Sequence, residues 1–537
     1  MINRRKLKRV FGELPYTVEL YWNLYKRHKP WQAHFNLDLL EEVLPEAVQH
    51  AERSRQTRYE SSGSYPGWKC EAKKIFIFSS LHYWINYIAL LGVALAGKGH
   101  QVTLSFLPYA NWDQPIDKFD LRRQNLYARQ VLSTASSILQ VQSLLDVTPF
   151  SKVLPSELER AIEEVSVFDT QYTLSVEDIT KEEDLYQLRY ERNQEAARCA
   201  RAWLMAHKPD VVVVPNGTIQ EMGVVYRVAQ QLGLQTVTFE FSEQRERIWL
   251  AQNSEIMRND TDALWAAHGE DPVDEPKLQQ LRDLYSARVD AKTWKNFTRR
   301  WQETPTQGGK SVRKKLGLDD RPVVLLATNV IGDSLTLGRQ VFSKSMVEWI
   351  KRTVHYFSDR QDVQLVIRVH PGEMLTLGTS VVDVIESALD EIPSHIYLIK
   401  PDAKINTYDI LDITDLGLVY STTVGLEMAM RGIPVVVAGQ THYRDRGFTH
   451  DPTSWDMYLS ILDKQLADTK PAQLTQEQVE LAWRYAYLFF FEFPKPFPWH
   501  LLDLGDDIKN RSMAFVLSDE GKEKYGEAFD LFSGVQR

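Results

Sequence analysis

Three consecutive hydroxyl side chains, Ser421, Thr422 and Thr423, directly follow a short apolar run at residues 416–420. The apolar run is typical of a buried parallel strand, and residues 424–431 are good helix formers. A strand, a hydroxyl-rich turn and a helix start together place free backbone N–H groups and a positive dipole end at the carboxyl edge of a sheet. Because α/β proteins bind anionic ligands at such edges, the sequence predicts a phosphate site here.

Glu427 lies one turn into the same predicted helix. A capping box would explain a glutamate there only if Ser or Thr stood three residues earlier, and position 424 is Val. We therefore favour a role in which the Glu427 carboxylate accepts hydrogen bonds from a ribose, over a capping role.

A second candidate group is Arg368-Val-His370-Pro371, which ends another apolar run. Proline stops strand pairing, so His370 is expected at the carboxyl edge of the sheet. There His370 could donate a proton to a leaving phosphate oxygen, and Arg368 could neutralise its charge. The alternative, a histidine satisfied by a backbone carbonyl, stays equally open.

Further candidates in this half of the chain follow other predicted strands. Thr328 and Asn329 end the first strand, although a structural role is the commoner one for such residues. Gly439 and His442 belong to a segment, residues 439–449, that is expected to form a loop over the same ligand.

The first half offers candidates for a general base and for the acceptor side. Asn216 and Gly217 form a turn after one strand, Glu240 ends the next, and His82 follows the first strand of the half. Glu221 and Glu243 are weighed beside them, and each of these residues has a structural alternative as a surface or capping group. The sequence predicts Glu240 or His82 as the base without deciding between them.

Strands alternate with helices in both halves, which predicts an α/β fold of two Rossmann-like, doubly wound domains facing a cleft. The predicted strands lie at residues 75–80, 101–107, 208–217, 235–241, 321–330, 363–372, 395–400 and 416–420, and a further strand begins at Pro434. The expected division is a basic helical addition, a Rossmann-like domain with a helical insertion, a second Rossmann-like domain and a helical tail, at residues 1–70, 71–305, 306–470 and 471–537.

Composition excludes several classes of function. The 537 residues carry a formal charge of −9, which argues against nucleic acid as a partner. Two cysteines supply neither a disulfide framework nor a Cys-based metal site. There is no G-x-G-x-x-G fingerprint, no P-loop and no carboxylate pair suited to a metal–diphosphate. We expect a metal-independent reaction without a bound cofactor.

Residues 4–31 are strongly basic, with aromatic residues interleaved. In an acidic protein this pattern indicates contact with an anionic membrane surface. A solvated helix explains it equally well. No stretch has the length and apolarity of a transmembrane helix or a signal peptide.

Three segments, R-V-H-P, Y-S-T-T-V-G-L-E-M-A-M-R-G-I-P-V-V-V-A-G and H-Y-R-D-R-G-F-T, resemble the capsule polysaccharide biosynthesis glycosyltransferases. V-V-V-P-N-G through F-E-F is similar to the N-G…E pattern of that family. The resemblance implies a GT-B fold and a sugar-nucleotide site that includes Gly425. By the same resemblance His370 and residues 421–423 would hold the donor phosphate, Glu427 the nucleotide, and a first-half carboxylate would be the base.

The implied activity is transfer of a sugar from a nucleotide-sugar to a capsule polysaccharide or glycolipid acceptor. A CMP-sugar such as Kdo or sialic acid is favoured, with a UDP-sugar as the alternative. A sugar-nucleotide epimerase of the UDP-N-acetylglucosamine 2-epimerase type and a non-catalytic assembly or export partner remain open. The expected location is the cytoplasm, with or without contact to the inner face of the membrane.

Overall fold

A computed structural model describes residues 4–25, 35–62, 72–293, 295, 303–468 and 471–535. The chain divides into two compact units. The first unit comprises residues 1–170, 180–257 and 495–537, and the second comprises residues 171–179 and 258–494.

The first unit is built on a seven-stranded sheet in the order β3-β2-β1-β4-β5-β6-β12. Its first five strands in that order pair in parallel, and β6 and β12 add antiparallel edges. Apolar side chains fill the strands because both faces of the sheet are covered. The strands are β1 (Lys74–Ser80), β2 (Gln101–Leu107), β3 (Gln140–Ser143), β4 (Val211–Pro215), β5 (Gln235–Phe241), β6 (Arg247–Gln252) and β12 (Lys495–Pro496).

Helices pack on this sheet and extend beyond it. The buried helix that follows β1 is apolar on nearly all sides, as expected for a helix covered by other elements. The helices are α1 (Arg4–Glu13), α2 (Thr17–Tyr25), α3 (Asp38–Ser62), α4 (His82–Gly97), α5 (Lys118–Leu132), α6 (Ser156–Leu174), α7 (Asp184–His207), α8 (Gln220–Gln231), α18 (Leu504–Asn510), α19 (Met513–Leu517) and α20 (Asp519–Phe532).

The second unit contains a five-stranded sheet, entirely parallel, in the order β11-β10-β7-β8-β9. The strands are β7 (Val323–Ala327), β8 (Gln364–Arg368), β9 (Ile396–Ile399), β10 (Leu416–Val419) and β11 (Val435–Val437). The helices are α9 (Asp262–His268), α10 (Glu275–Val289), α11 (Gly309–Leu316), α12 (Met346–Ser358), α13 (Val381–Ala388), α14 (Thr407–Leu411), α15 (Val424–Met430), α16 (Trp455–Gln465) and α17 (Gln476–Tyr487).

Both parallel sheets share one topology. Counted from the first strand of each unit, the order is 3-2-1-4-5, so the chain direction across the sheet reverses between the first and the fourth strand. This reversal is the switch point at which doubly wound folds bind ligands. The predicted α/β class with two Rossmann-like, doubly wound sheets and helical additions is confirmed. The elements α1 to α3 and α18 to α20 are the helical additions.

The unit boundaries differ from those predicted from composition. The boundary expected at 305/306 lies inside the second unit, which begins at Arg258. The polar stretch before residue 290 forms α9 and α10, and Leu281 and Leu284 of α10 are buried in the core of the second unit. The tail also divides, because β12 pairs with β6 and Phe529 is buried in the core of the first unit.

Among the residues that the structure describes, no helix is both long and apolar enough to cross a membrane.

Candidate functional site

The carboxyl ends of β7, β8 and β10 bring the second-unit candidates together. Ala327 at the end of β7 pairs with Arg368 of β8 on one side and with Val419 of β10 on the other. The three strands therefore end level with one another. The residues that follow them lie on both sides of the switch point between β7 and β10.

The link between β7 and β8 is made by Thr328 and His370. The His370 N–H donates to the Thr328 hydroxyl at 3.1 Å, and the Thr328 N–H donates to the Arg368 carbonyl at 3.2 Å. The Gly372 N–H donates to Nδ1 of His370 at 3.0 Å. We therefore assign the proton of the neutral imidazole to Nε2, because an accepting Nδ1 carries no hydrogen. This tautomer can donate a hydrogen bond to an anion.

Arg368 is a buried cation at the same edge. Its Nη1 donates to the Lys400 carbonyl at 2.8 Å, and its Nε has no hydrogen-bond partner within the described part of the chain. Burial lowers the pKa of the Arg368 guanidinium to about 10, although Asp402 acts in the opposite direction. A nearby anion would stabilise a desolvated cation whose burial is offset by so few hydrogen bonds and opposite charges.

On the other side of β7, Asn329 and Ser421 join the strands. The Ser421 N–H donates to Oδ1 of Asn329 at 3.2 Å, and the Ser421 hydroxyl donates to the Leu335 carbonyl at 3.1 Å. The predicted grouping of these two residues is therefore present in the structure. Since the Ser421 hydrogen is used internally, Ser421 can accept but not donate toward a ligand in this conformation.

The other two hydroxyls behave differently from each other. The Thr422 hydroxyl accepts from the Val424 N–H at 3.4 Å, and the Thr422 carbonyl accepts from the Tyr443 hydroxyl at 2.6 Å. Thr423 occupies the position before α15, but its side chain makes no capping hydrogen bond to the described helix. Thr423 is half-buried, so the hydroxyl with the fewest described contacts is also partly accessible.

The predicted ribose role of Glu427 needs correction. Glu427 is buried, with Nη1 of Arg288 at 2.5 Å from Oε1 and the Tyr408 hydroxyl at 3.0 and 3.1 Å from its two oxygens. The guanidinium of Arg288 also lies 4.4 Å from the centroid of the Phe490 ring. A direct ligand contact would have to replace one of these interactions. Capping does not explain Glu427, as expected. The glutamate instead forms an ion pair with Arg288, which lies 139 residues away in the sequence.

Gly425 and Gly439 have packing roles. A Cβ on Gly425 would approach the Tyr443 hydroxyl at 2.3 Å, and one on Gly439 would approach the Tyr420 ring at 3.0 Å. Tyr443 reaches the Thr422 carbonyl only because residue 425 has no side chain. These glycines shape the edge and leave direct ligand contact to their neighbours.

His442 is buried in an aromatic cluster. Its ring stacks on Phe489 at 3.8 Å, within the π-helical segment Leu488–Glu492, and its Nδ1 lies 2.9 Å from the Tyr485 hydroxyl. That hydroxyl also donates to the His442 carbonyl at 2.6 Å, so we assign the proton of the imidazole to Nδ1. Burial holds the pKa of His442 well below its ordinary value, with Arg339 and Arg446 adding to the effect. Nε2 is thus an acceptor, buried and unpartnered among the described residues.

In the first unit, Asn216 and Glu240 lie together at the carboxyl ends of β4 and β5. The Asn216 amide donates to Oε2 of Glu240 at 3.2 Å, and the Phe241 N–H donates to Oε1 at 3.1 Å. Burial raises the pKa of Glu240 to about 7, although both hydrogen bonds oppose the shift. A carboxyl group that titrates near neutrality suits a general base.

Backbone conformation marks the same edge. Leu81, Asn216 and Gln220 have φ values of 67°, 59° and 59°, and Gly217 between them has 81°. Three non-glycine residues in the left-handed region at one switch point require compensation from the surrounding structure. A Cβ on Gly217 would lie 2.5 Å from Cγ2 of Thr238, which explains the glycine there.

His82 and Glu221, the other first-unit candidates, differ in their surroundings. Glu221 is buried, paired with Arg189 at 2.9 Å and accepting from the Ser80 hydroxyl at 2.8 Å. Burial opposes the charge, yet Arg189 and Arg192 lower the pKa of Glu221. His82 is half-buried, its Nδ1 has no partner in the described residues, and burial lowers its pKa. Of the candidate bases, only Glu240 pairs a raised pKa with a position at a strand end.

Sequence reasoning missed the charged network around Glu221. Arg189 on α7 also contacts Asp169 on α6 at 3.1 Å, and Asp169 accepts from the Gln220 N–H at 2.5 Å. These residues come from helices without a motif, and no local signal marks them. In the described part of the chain, no group of three or more His, Cys, Asp or Glu residues could hold a metal ion.

No family model matches the chain, and no curated protein matches it. The solved structures that are similar include glycosyltransferases and UDP-N-acetylglucosamine 2-epimerases, all at low identity. KpsC, a β-Kdo 2,4-transferase of Thermosulfurimonas dismutans, is 13% identical over 57% of this chain and 87% of that chain, with a TM-score of 0.33.

Two further structures are similar to this chain at comparably low identity and TM-score. The UDP-N-acetylglucosamine 2-epimerase of Neisseria meningitidis, bound to UDP-N-acetylglucosamine, is 12% identical over 78% of this chain and 99% of that chain, with a TM-score of 0.25. The glycosyltransferase SsfS6 of Streptomyces sp. SF2575, complexed with thymidine diphosphate, is 12% identical over 78% and 95%, with a TM-score of 0.23. The fold described above therefore stands on its own strand order, and membership of the capsule polysaccharide family stays a prediction.

Proposed function

We propose that the protein is a glycosyltransferase that binds a nucleotide-sugar at the carboxyl edge of the second-unit sheet. One observation carries the proposal. The buried, under-compensated Arg368 and the donating tautomer of His370 lie beside a hydrogen-bonded row of Thr328, Asn329 and Ser421. This combination suits a phosphate group at a switch point.

In the proposed reaction an acceptor hydroxyl oxygen attacks the anomeric carbon of the donor sugar. The bond from that carbon to the phosphate oxygen breaks, and the nucleotide departs with the bonding electrons. His370 donates a hydrogen bond from Nε2 to the departing oxygen, while Arg368 stabilises its negative charge. Glu240, the first-unit carboxyl with a pKa of about 7, would accept the proton of the acceptor hydroxyl.

A CMP-sugar is the favoured donor and a UDP-sugar the alternative, with a capsule or surface polysaccharide or glycolipid as acceptor. These specificities rest on the family resemblance of the motifs at 368–371 and 420–439. We propose further that the reaction needs neither metal nor cofactor and takes place in the cytoplasm.

Calorimetric titration with CMP, UDP and GDP tests the donor site. We expect one nucleotide to bind the parent, and Arg368→Met and His370→Ala to weaken it about tenfold or more, since each removes a hydrogen bond to a charged group. Matched controls are Arg321→Met, which alters an arginine at the opposite end of β7, and His355→Ala on α12. Absence of nucleotide binding, or equal affinities in all four variants, would overturn the proposal.

The same preparation separates transfer from epimerisation. Incubation of the nucleotide-sugar without an acceptor should leave the sugar unchanged in a transferase, whereas an epimerase would convert it to its 2-epimer. Nucleotide binding without either reaction, across a panel of polysaccharide acceptors, would indicate the non-catalytic alternative.

A further inference from the structure

The helices α1 and α2 are held against α5 by specific contacts. Arg122 of α5 donates to the Gly12 and Leu14 carbonyls at 3.0 and 2.8 Å, and it pairs with Glu19 at 2.6 Å. Val18 of α2 is fully buried. One side of the helix pair is therefore occupied by α5.

Both acidic side chains of the helix pair form ion pairs with α5. Glu13 pairs with Lys118 at 2.8 Å, and Glu19 pairs with Arg122. Residues 4–25 contain five Lys or Arg residues against these two glutamates. Of the cations, Lys8 pairs with Asp120, whereas Arg9 is exposed. The helix pair thus carries a basic excess, with its negative charges already neutralised by α5.

Apolar side chains cover the side opposite α5. Leu20 and Leu24 lie one above the other on α2, four residues apart, and are 63% and 68% exposed. Tyr16, directly before the helix, is 80% exposed. Val10 and Leu14 are likewise exposed. A helix on the surface of a globular protein ordinarily turns polar residues outward, and this helix does the reverse while keeping Val18 inside.

We propose that this outward face docks on an anionic lipid surface. Exposed leucines and a tyrosine beside a basic segment match the apolar and electrostatic components of interfacial binding. A second copy of the chain fits less well. A symmetric dimer would bring the two basic segments together, where like charges repel. Residues 26–31 of the basic segment predicted from the sequence lie outside the described residues.

Vesicle flotation of the full chain tests the proposal without any nucleotide or sugar, so its outcome is independent of the proposed transferase activity. The vesicles are phosphatidylcholine alone, or phosphatidylcholine with phosphatidylglycerol as about a third of the lipid. We expect binding to the anionic vesicles, weakened by high salt and by Arg9→Gln. The double variant Leu20→Gln/Leu24→Gln should reduce partitioning of the protein onto the vesicles about tenfold or more. The reason is that the two leucine side chains, exposed in the free protein, would be buried in the lipid.

A matched control is Val153→Gln/Met205→Gln, which changes two other exposed apolar side chains of the first unit. It should float like the parent. Thermal unfolding of both double variants checks that they fold, since all four side chains are exposed. Equal flotation of the two double variants, or equal parental binding to neutral vesicles, would overturn the proposal. A dimer in light scattering that only Leu20→Gln/Leu24→Gln dissociates, together with no flotation, would assign the face to a second copy instead.

Discussion

The carboxyl edges of the two sheets share a strand order but differ in chemistry. In the second unit, side-chain oxygens of Thr328 and Asn329 accept backbone N–H groups from the loops after β8 and β10. In the first unit, the corresponding edge carries the carboxyl groups of Glu221 and Glu240 and three non-glycine residues with positive φ. The shared topology thus presents neutral oxygens and Arg368 in one unit. In the other it presents two carboxyl groups, of which Glu221 is paired with Arg189.

In both units topology supplies the position of the edge, and the local side chains supply its chemistry. An edge with Arg368 and a donating histidine suits a phosphate group, whereas an edge with a carboxyl of pKa about 7 suits proton transfer. Each unit also contains a buried arginine–glutamate pair, Arg189–Glu221 in the first and Arg288–Glu427 in the second. The comparison can be tested by altering one unit at a time.

The largest expected effect is on stability. Glu427→Ala should lower the free energy of unfolding by about 3–5 kcal/mol, because it removes the carboxylate that pairs with the buried Arg288 charge. Denaturant unfolding measures the loss. The double variant Arg288→Met/Glu427→Leu should lose much less, since no charge is left behind. Unchanged stability in Glu427→Ala, combined with lost nucleotide binding, would return Glu427 to the ribose role.

The next largest effect concerns the first-unit edge. If Glu240 is the base, Glu240→Gln should slow transfer by about 10²–10⁴-fold. The parental rate should rise with pH and level off above about 7, because only the ionised carboxylate accepts a proton. The variant should lose this dependence while its nucleotide affinity stays unchanged. A similar fall in rate for Glu243→Gln, the nearby control, would contradict the assignment.

The raised pKa of Glu240 also predicts how stability depends on pH. Since the folded state holds this proton up to a higher pH than the unfolded state, the free energy of unfolding should fall as pH rises from about 4.5 to about 7. Glu240→Gln should remove that part of the dependence. An identical pH dependence of the free energy of unfolding in parent and variant would show that the pKa of Glu240 is not raised in the folded protein.

A smaller effect is expected at the second-unit edge. Gly425→Ala should cost about 1–3 kcal/mol, because its Cβ would lie 2.3 Å from the Tyr443 hydroxyl. Donor binding should weaken as well, since the Tyr443 contact to Thr422 would move. Gly526→Ala on α20 is the control, because open space surrounds that position. Equal stability of the two variants would contradict the packing role.

The smallest effect concerns backbone strain in the first unit. Gln220→Gly should stabilise the protein by up to about 1 kcal/mol, because glycine adopts the positive φ of 59° without strain. Gln231→Gly changes the last residue of α8, where the backbone has ordinary right-handed helical angles. It should destabilise the protein by about the same amount. Thermal unfolding measures both. If donor binding is unchanged in Gln220→Gly while transfer falls, the strained edge contributes to acceptor chemistry in the first unit alone.

Local patterns predicted most of the strands and the residues that end them. The apolar runs before Ser79, Asn216, Thr328 and Ser421 are strands, and their parallel order follows from the helices between them. The edge strand β3 and the antiparallel β6 and β12 were not predicted, because a half-exposed strand lacks a continuous apolar run. The unit boundary was misplaced because α10 has a mostly polar sequence. Its two buried leucines do not form an apolar run that would mark it as part of the second core.

Two doubly wound sheets and the side chains at their carboxyl edges could be predicted from the sequence, because strand periodicity and turn chemistry are local properties. Which of those side chains are accessible depends on the packing of the folded chain. It paired Glu427 with Arg288 and Glu221 with Arg189, and it left Glu240 with an amide and a backbone N–H. Such pairings depend on contacts between residues far apart in the chain, and the charge states that they set are decided by burial.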